Sequence, residues 1–284
     1  MFSKKTILAA PLAALMLTTA SINLAHAQAG IFEVVHPDVS KGLVELEFLN
    51  GIGLNNVEPG DESSVHEFAV AYGITDYWKF TAAFEVANPR GESAEVEAVE
   101  LENLIILPFF GGGGGHDHDK KHEHDKEKGV AHDDDDDDHA PFTLGFFTAL
   151  EIPIEGGISE GGIEFGPVWE AEIGKVEWVG NLLVEAPFSE GDPGLAYASQ
   201  LVLPINDHVG IGVENFGEFE GAFGSGGEDE HFAGPAIYFN AELENGHVIE
   251  PRAAVLFNLS ESPTNAVFSF NVEYKFGGLS LIHI

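Results

Sequence analysis

Residues Val65 to Val86 read VHEFAVAYGITDYWKFTAAFEV, two alternating runs on either side of a turn at Gly73-Ile74-Thr75-Asp76. In the second run Trp78, Phe80, Ala82, Phe84 and Val86 share one parity, and Lys79, Thr81, Ala83 and Glu85 share the other. In the first run Phe68, Val70 and Tyr72 alternate with Glu67, Ala69 and Ala71. A period of two is a strand with one apolar face and one wet face. The same grammar returns along the chain with almost no helical period between. It predicts an all-β fold, an antiparallel transmembrane β-barrel with one long disordered His/Asp-rich loop.

Twelve strands are predicted, at 41–50, 64–73, 77–88, 94–108, 141–153, 161–173, 175–187, 193–204, 208–219, 231–243, 247–259 and 264–276. An even number brings the chain back to the side it left, and about ten residues suffice for a tilted crossing of the hydrocarbon layer. In 94–108 the apolar parity shifts near Ala98, which points to a bulge or to a misplaced strand boundary. Very short turns at Ile74-Thr75-Asp76, Gly174-Lys175, Asn206-Asp207 and Asn245-Gly246 fall at every second connection. The others, around 51–63, 89–93, 154–160, 188–192, 220–230 and 260–263, are longer and rich in Gly, Pro, Ser and Glu. Short periplasmic turns alternating with longer outer loops are the habit of outer-membrane barrels.

The wet parity carries Glu45, Glu47, Glu85, Glu100, Glu102, Glu151, Glu164, Glu170, Glu172, Glu177, Glu185, Glu214 and Glu273. Acids packed in a dry core are prohibitive, whereas in a water-filled lumen they are tolerable and attract cations. Tyr72, Tyr77, Trp78, Trp169, Trp178 and Tyr274 stand near strand ends, where aromatic girdles meet the membrane interface. The rival is a soluble periplasmic metal-binding β protein, whose aromatic face needs a second sheet to cover it.

Composition narrows the classes further. A formal charge of −36 with only 12 basic residues excludes nucleic acid as a partner, since phosphate needs Lys and Arg. Cysteine is absent, so there are no disulfides, thiol nucleophiles or Cys-bound metals. Neither a Gly-x-Ser-x-Gly elbow nor a phosphate-binding Gly loop with Lys-Ser or Lys-Thr occurs. The chain reads as a non-enzyme, and only a Ser–His pair brought together by folding is left open.

Residues 1–27 read as an export signal, with Lys4 and Lys5, the apolar Ile7 to Leu17, and Ala25-His26-Ala27 as cleavage site. An N-terminal anchor is the competing reading. Cleavage after Ala27 leaves 28–40 as an N-terminal periplasmic segment and 41–276 as the barrel. In the tail 277–284, Leu279 to Ile284 (LSLIHI) matches the in-frame translation of a transposase-adapter end and reads as a sequencing scar, with a genuine short periplasmic tail as the competing reading.

The final strand, with Phe268, Phe270, Val272, Tyr274 and Phe276, resembles the closing strand of outer-membrane proteins. Its aromatic alternation implies the barrel-assembly machinery as a partner, alongside outer-membrane lipid. His36-Pro37, Lys41 to Glu47 (KGLVELE) and Tyr72 to Asp76 (YGITD) resemble a group of proteobacterial outer-membrane barrels. The group includes transporters of the phenol-degradation MetA-like type. The resemblance implies the outer membrane of a Gram-negative bacterium and passage of small organic molecules; it carries no catalytic residue.

Gly111 to Ala140 is the outlier. A five-glycine tether leads into His116, Asp117, His118, Asp119, His122, Glu123, His124, Asp125, His132, Asp133, Asp134, Asp135, Asp136, Asp137, Asp138 and His139. Imidazole beside carboxylate suits labile Zn, Ni, Co or Cu, with Ca held more weakly, and no spacing fixes one geometry. No tightly bound cofactor is expected. The stretch falls between the fourth and fifth strands, on the periplasmic side if the first strand runs outward. There His36, His208 and His247 extend a metal-collecting rim, or are ordinary turn histidines. The leading expectation is therefore transport or local buffering of divalent transition-metal ions. The alternative is a porin for small organic molecules with an incidental polar loop.

Overall fold

The computed structural model describes residues 31–54, 62–89, 91, 93–108, 142–154, 157–189, 193–219, 229–260 and 265–277. The export signal, the His/Asp-rich stretch 111–140 and the tail beyond Gly277 lie outside the described residues.

The strands are β1 Leu43–Gly53, β2 Glu62–Thr75, β3 Trp78–Pro89, β4 Glu95–Ile106, β5 Phe142–Pro153, β6 Gly162–Ile173 and β7 Val176–Pro187. They continue as β8 Gly194–Asn206, β9 Val209–Phe219, β10 Asp229–Phe239, β11 Ala241–Glu242, β12 Val248–Asn258 and β13 Ala266–Gly277. Strands β1 to β10 each pair antiparallel with their sequence neighbours, as do β11 with β12 and β12 with β13, while β1 pairs with β13 and β10 with β12. The sheet is therefore closed, with no free edge. The two-residue β11 prolongs β10 along β12, so the wall holds the twelve long strands expected.

Two local departures have physical causes. Glu85 pairs with Ala98 and Val86 with Val96, leaving Glu97 as an extra residue, the bulge that the parity shift near Ala98 foretold. A second irregularity between Gly73 and Thr75 carries the first hairpin turn on to Asp76-Tyr77, past the predicted Gly73–Asp76.

The two faces separate by parity. Val70, Tyr72, Phe84, Ile105, Leu201, Val213 and Phe257 are exposed on the outside. Their immediate neighbours Ala69, Ala71, Ala83, Leu104, Val202, Glu214 and Leu256 are buried on the inside. Trp78 Nε1 donates to Asn103 Oδ1 on the neighbouring strand at 3.1 Å, and Trp178 Nε1 to Ser199 Oγ at 3.0 Å. These two indoles thus keep their polar atoms satisfied on an apolar wall, whereas the buried Trp169 Nε1 has no hydrogen-bond partner among the described residues. Trp169 lies edge-on to Trp178 at 5.7 Å, in the space left by Gly180, where any Cβ would meet its ring at 2.3 Å.

The two rims differ. One has the tight connections after β2, β6, β8 and β11, and here too β1 begins and β13 ends, with Leu43 opposite Gly277. Ile106 and Phe142, which flank the His/Asp-rich stretch, end on this same rim. The other rim bears the longer connections.

Residues 31–40, part of the N-terminal segment 28–40 set apart in the sequence, run as a strap inside the barrel. The strap starts at the tight-turn rim, where Gly42 N donates to Gly73 O at 2.7 Å. A Cβ on Gly73 would meet Ser40 O at 1.9 Å, so glycine is required for this approach. Further in, Val35 N donates to Asn181 Oδ1 and Asn181 Nδ2 donates back to Val35 O, both at 2.8 Å. Phe32 packs against Phe216 and Phe232, and Ile31 reaches Val65 and Ala87 towards the far rim. Apolar residues on the strap bury themselves against the few apolar patches of an otherwise wet wall.

Val213 lies mid-strand on β9, pointing outward and 54% exposed. Val213→Arg is expected to cost about 2–4 kcal/mol in a lipid-facing wall, measured by urea unfolding from vesicles. In a soluble sheet the same exposed substitution is close to neutral.

Candidate functional site

The lumen is divided by the strap into two cavities. The larger, about 840 Å³, opens towards the long-loop rim and is bounded by Ile31, Phe32 and Glu33 of the strap. Among the described residues its charged lining is entirely acidic and includes Glu67, Glu85, Glu100, Glu102, Glu151 and Glu164. The smaller, about 670 Å³, opens at the tight-turn rim, where Lys79, Arg252, Lys275 and His36 join the acids. The parity rule thus assigned the inward glutamates well. It passed over Glu67, although Glu67 shares that parity, and Glu33, which belongs to no strand.

Among the described residues the lumenal bases Lys79, Arg252 and Lys275 are all engaged with acids. Arg252 grips the fully buried Glu214 with two guanidinium nitrogens, and Tyr238 OH donates to Glu214 Oε1 at 2.6 Å. Arg252 Nη1 also donates to Phe32 O at 3.0 Å, tying this pair to the strap. Lys79 Nζ donates to Glu45 Oε2 at 2.7 Å, while Glu45 Oε1 has no hydrogen-bond partner. Lys275 Nζ lies 2.8 Å from Glu250, 3.2 Å from Glu273 and 3.8 Å from Asp38 of the strap. These bases sit in the lower half, and the upper cavity is left to its acids. The result is a field graded along the axis, strongest at the long-loop end.

The metal-site residues expected in the sequence, His116 to His139, lie outside the described residues. His208 and His247 do sit at tight turns: His208 N donates to Asn206 Oδ1, and the His247 ring meets Tyr274 OH. Both make the contacts of turn residues. His36 is not on the rim. It stands inside the lumen against Glu170 and Gln200.

Folding also brings a Ser–His pair together. Ser64 Oγ lies 3.2 Å from His66 Nε2, and His66 Nδ1 lies 2.6 Å from Asn50 Nδ2. The trio shares the outward parity of Phe48 and Phe68, whereas both cavities lie on the lumenal side of the wall. It satisfies polar groups on the outer face, close to the long-loop ends of β1 and β2.

No protein-family model matches the chain, and no curated protein matches it significantly. Solved structures share its architecture loosely. The KdgM porin, solved with disordered oligogalacturonate, is 8% identical over 82% of this chain and 98% of its own, with a TM-score of 0.49. LpxR from Salmonella typhimurium is 9% identical over 82% of this chain and 99% of its own, with a TM-score of 0.40. OprD of Pseudomonas aeruginosa is 10% identical over 78% of this chain and 62% of its own, with a TM-score of 0.34.

Glu33 is carried by the strap, outside the strands of the wall. Burial pushes its carboxyl up to about 7, with Lys79 opposing and Glu100 and Glu273 reinforcing. An acid whose pKa rises on docking favours docking most when protonated. That contribution is complete below the ordinary value of 4.5 and is lost as pH rises through about 7. Protease cleavage within 31–40 should therefore quicken between pH 5 and pH 8. In Glu33→Gln the rise should be much smaller. An equal rise in both proteins contradicts the assignment.

Proposed function

We propose that this chain is an outer-membrane, porin-like barrel that passes small cationic organic solutes. The observation that carries the reading is the all-acid cavity at the long-loop end of a closed wall whose outer face is apolar. Tight turns and both ends of the wall share one rim, which supports placing that rim in the periplasm and the acid cavity towards the outside. A cation arriving there meets carboxylates held in a narrow, partly desolvated space, where their field is poorly screened. Deeper in, Lys79, Arg252 and Lys275 weaken the attraction, so a bound solute is not trapped. A cavity of about 840 Å³ is roomy enough for a small organic molecule.

Transport of divalent metal, the reading placed first from sequence, gives way to its alternative. The acid cavity, at about 840 Å³, is far roomier than a bare ion requires and suits an organic solute better. The stretch 111–140 is proposed as a labile collector of Zn, Ni, Co or Cu, on composition alone. Lipid and the barrel-assembly machinery are the proposed partners of insertion.

Planar-bilayer recording on the full chain tests the reading. It predicts discrete openings with a reversal potential that favours cations over anions. The triple variant Glu67→Gln/Glu100→Gln/Glu102→Gln should lose most of that preference. Anion selectivity, or silence both in the parent chain and in a variant lacking residues 31–40, would sink it.

A further inference from the structure

His36 meets two carboxylates that belong to the wall rather than to the strap. Its Nδ1 stands 3.6 Å from Glu170 Oε2 of β6. One ligand atom from each of His36, Glu170 and Glu177, the last on β7, lies within 4.8 Å of the others. Imidazole with two carboxylates is a donor set for first-row divalent ions, at bond lengths of ~2.0–2.2 Å. Donors around one such ion stand roughly 3–4 Å apart, so a modest closing brings all three onto it. The two all-carboxylate groupings in the lumen, Glu45–Glu47–Glu273 and Glu67–Glu85–Glu100, lack a nitrogen donor.

A second observation concerns the other ring nitrogen. His36 Nε2 lies 2.7 Å from Nε2 of Gln200, a side chain on β8 that is only 3% exposed. That distance is short for N–H···N and ordinary for N–H···O, and the two ends of an amide are interchangeable by rotation. With the amide turned, Gln200 Oε1 accepts from His36 Nε2–H. The Nδ1 lone pair then faces Glu170 with no proton between and Glu177 close by, a position that a cation fills. Holding the far nitrogen with a buried acceptor is how proteins orient a metal-ligating imidazole.

We propose that a divalent transition-metal ion of the zinc class is bound by His36, Glu170 and Glu177 and fastens the strap to the β6–β7 wall. Calcium and magnesium, which prefer all-oxygen shells, fit the site poorly. The ion joins a chain segment to the wall of the lower cavity, so occupancy decides how firmly the lumen stays divided. The inference goes beyond the porin reading and fails separately from it, since it concerns binding and not passage.

Hydrogen exchange read by mass spectrometry on the full chain, with and without Zn²⁺, distinguishes this site from any binding by 111–140. Zn²⁺ should slow exchange of peptides covering 31–42 about tenfold or more. The slowing should vanish in His36→Ala and fall sharply in Glu177→Gln. Unchanged exchange in β12 and β13 confirms that the variants remain folded. The proposal is overturned if Zn²⁺ leaves the strap unaffected in the parent chain, if His36→Ala responds as the parent does, or if Mg²⁺ produces the same slowing.

Discussion

A carboxylate cannot be left in hydrocarbon, and a strand places consecutive side chains on opposite faces. In this chain the two facts together constrain nearly everything. Glu214 and Val213 are adjacent in sequence, yet one is fully buried with Arg252 and Tyr238 while the other is among the most exposed residues of the outer wall. Only a sheet with water on one side and an apolar medium on the other accommodates that alternation strand after strand. Closure follows, because an open edge in such a medium leaves unpaired backbone groups. The β10–β12 and β1–β13 pairings remove both edges.

A wall that turns its acids inward concentrates negative charge, and the interior is organised around that consequence. Lys79, Arg252 and Lys275 are each held by glutamates in the lower half. The strap adds packing of its own, with Phe32 set into Phe216 and Phe232 and Val35 clamped by Asn181. It also divides the space, leaving an all-acid chamber on one side and a chamber of mixed charge on the other. That asymmetry gives the proposed passage its direction of approach and its route of release.

Much of this was legible in the residues, because period two is a local signal that needs no knowledge of partners. Trp78 to Val86 fixed a wall face, Ala98 betrayed its bulge, and the alternation of tight and long connections separated the rims. The strap was not legible. Ile31 to Val39 has neither strand alternation nor a helical period. Its lumenal position depends on partners such as Asn181 and Arg252, about 150 and 220 residues distant. His36 was visible as a motif residue and as a candidate rim histidine, but its partners were not, since Glu170, Glu177 and Gln200 come from three different strands. The Ser64–His66–Asn50 contact was hidden for the same reason, as register decides which residue of β1 faces His66.

The division between a watery inside and an apolar outside can be tested directly, because the chain has no cysteine of its own. Single cysteines are placed at 99, 100, 101 and 102 on β4 of protein reconstituted into vesicles, and each is exposed to a small charged maleimide. The account predicts modification at 100 and 102, which line the upper cavity, and protection at 99 and 101. Modification at 99 and 101 with protection at 100 and 102, or uniform modification at all four, contradicts it.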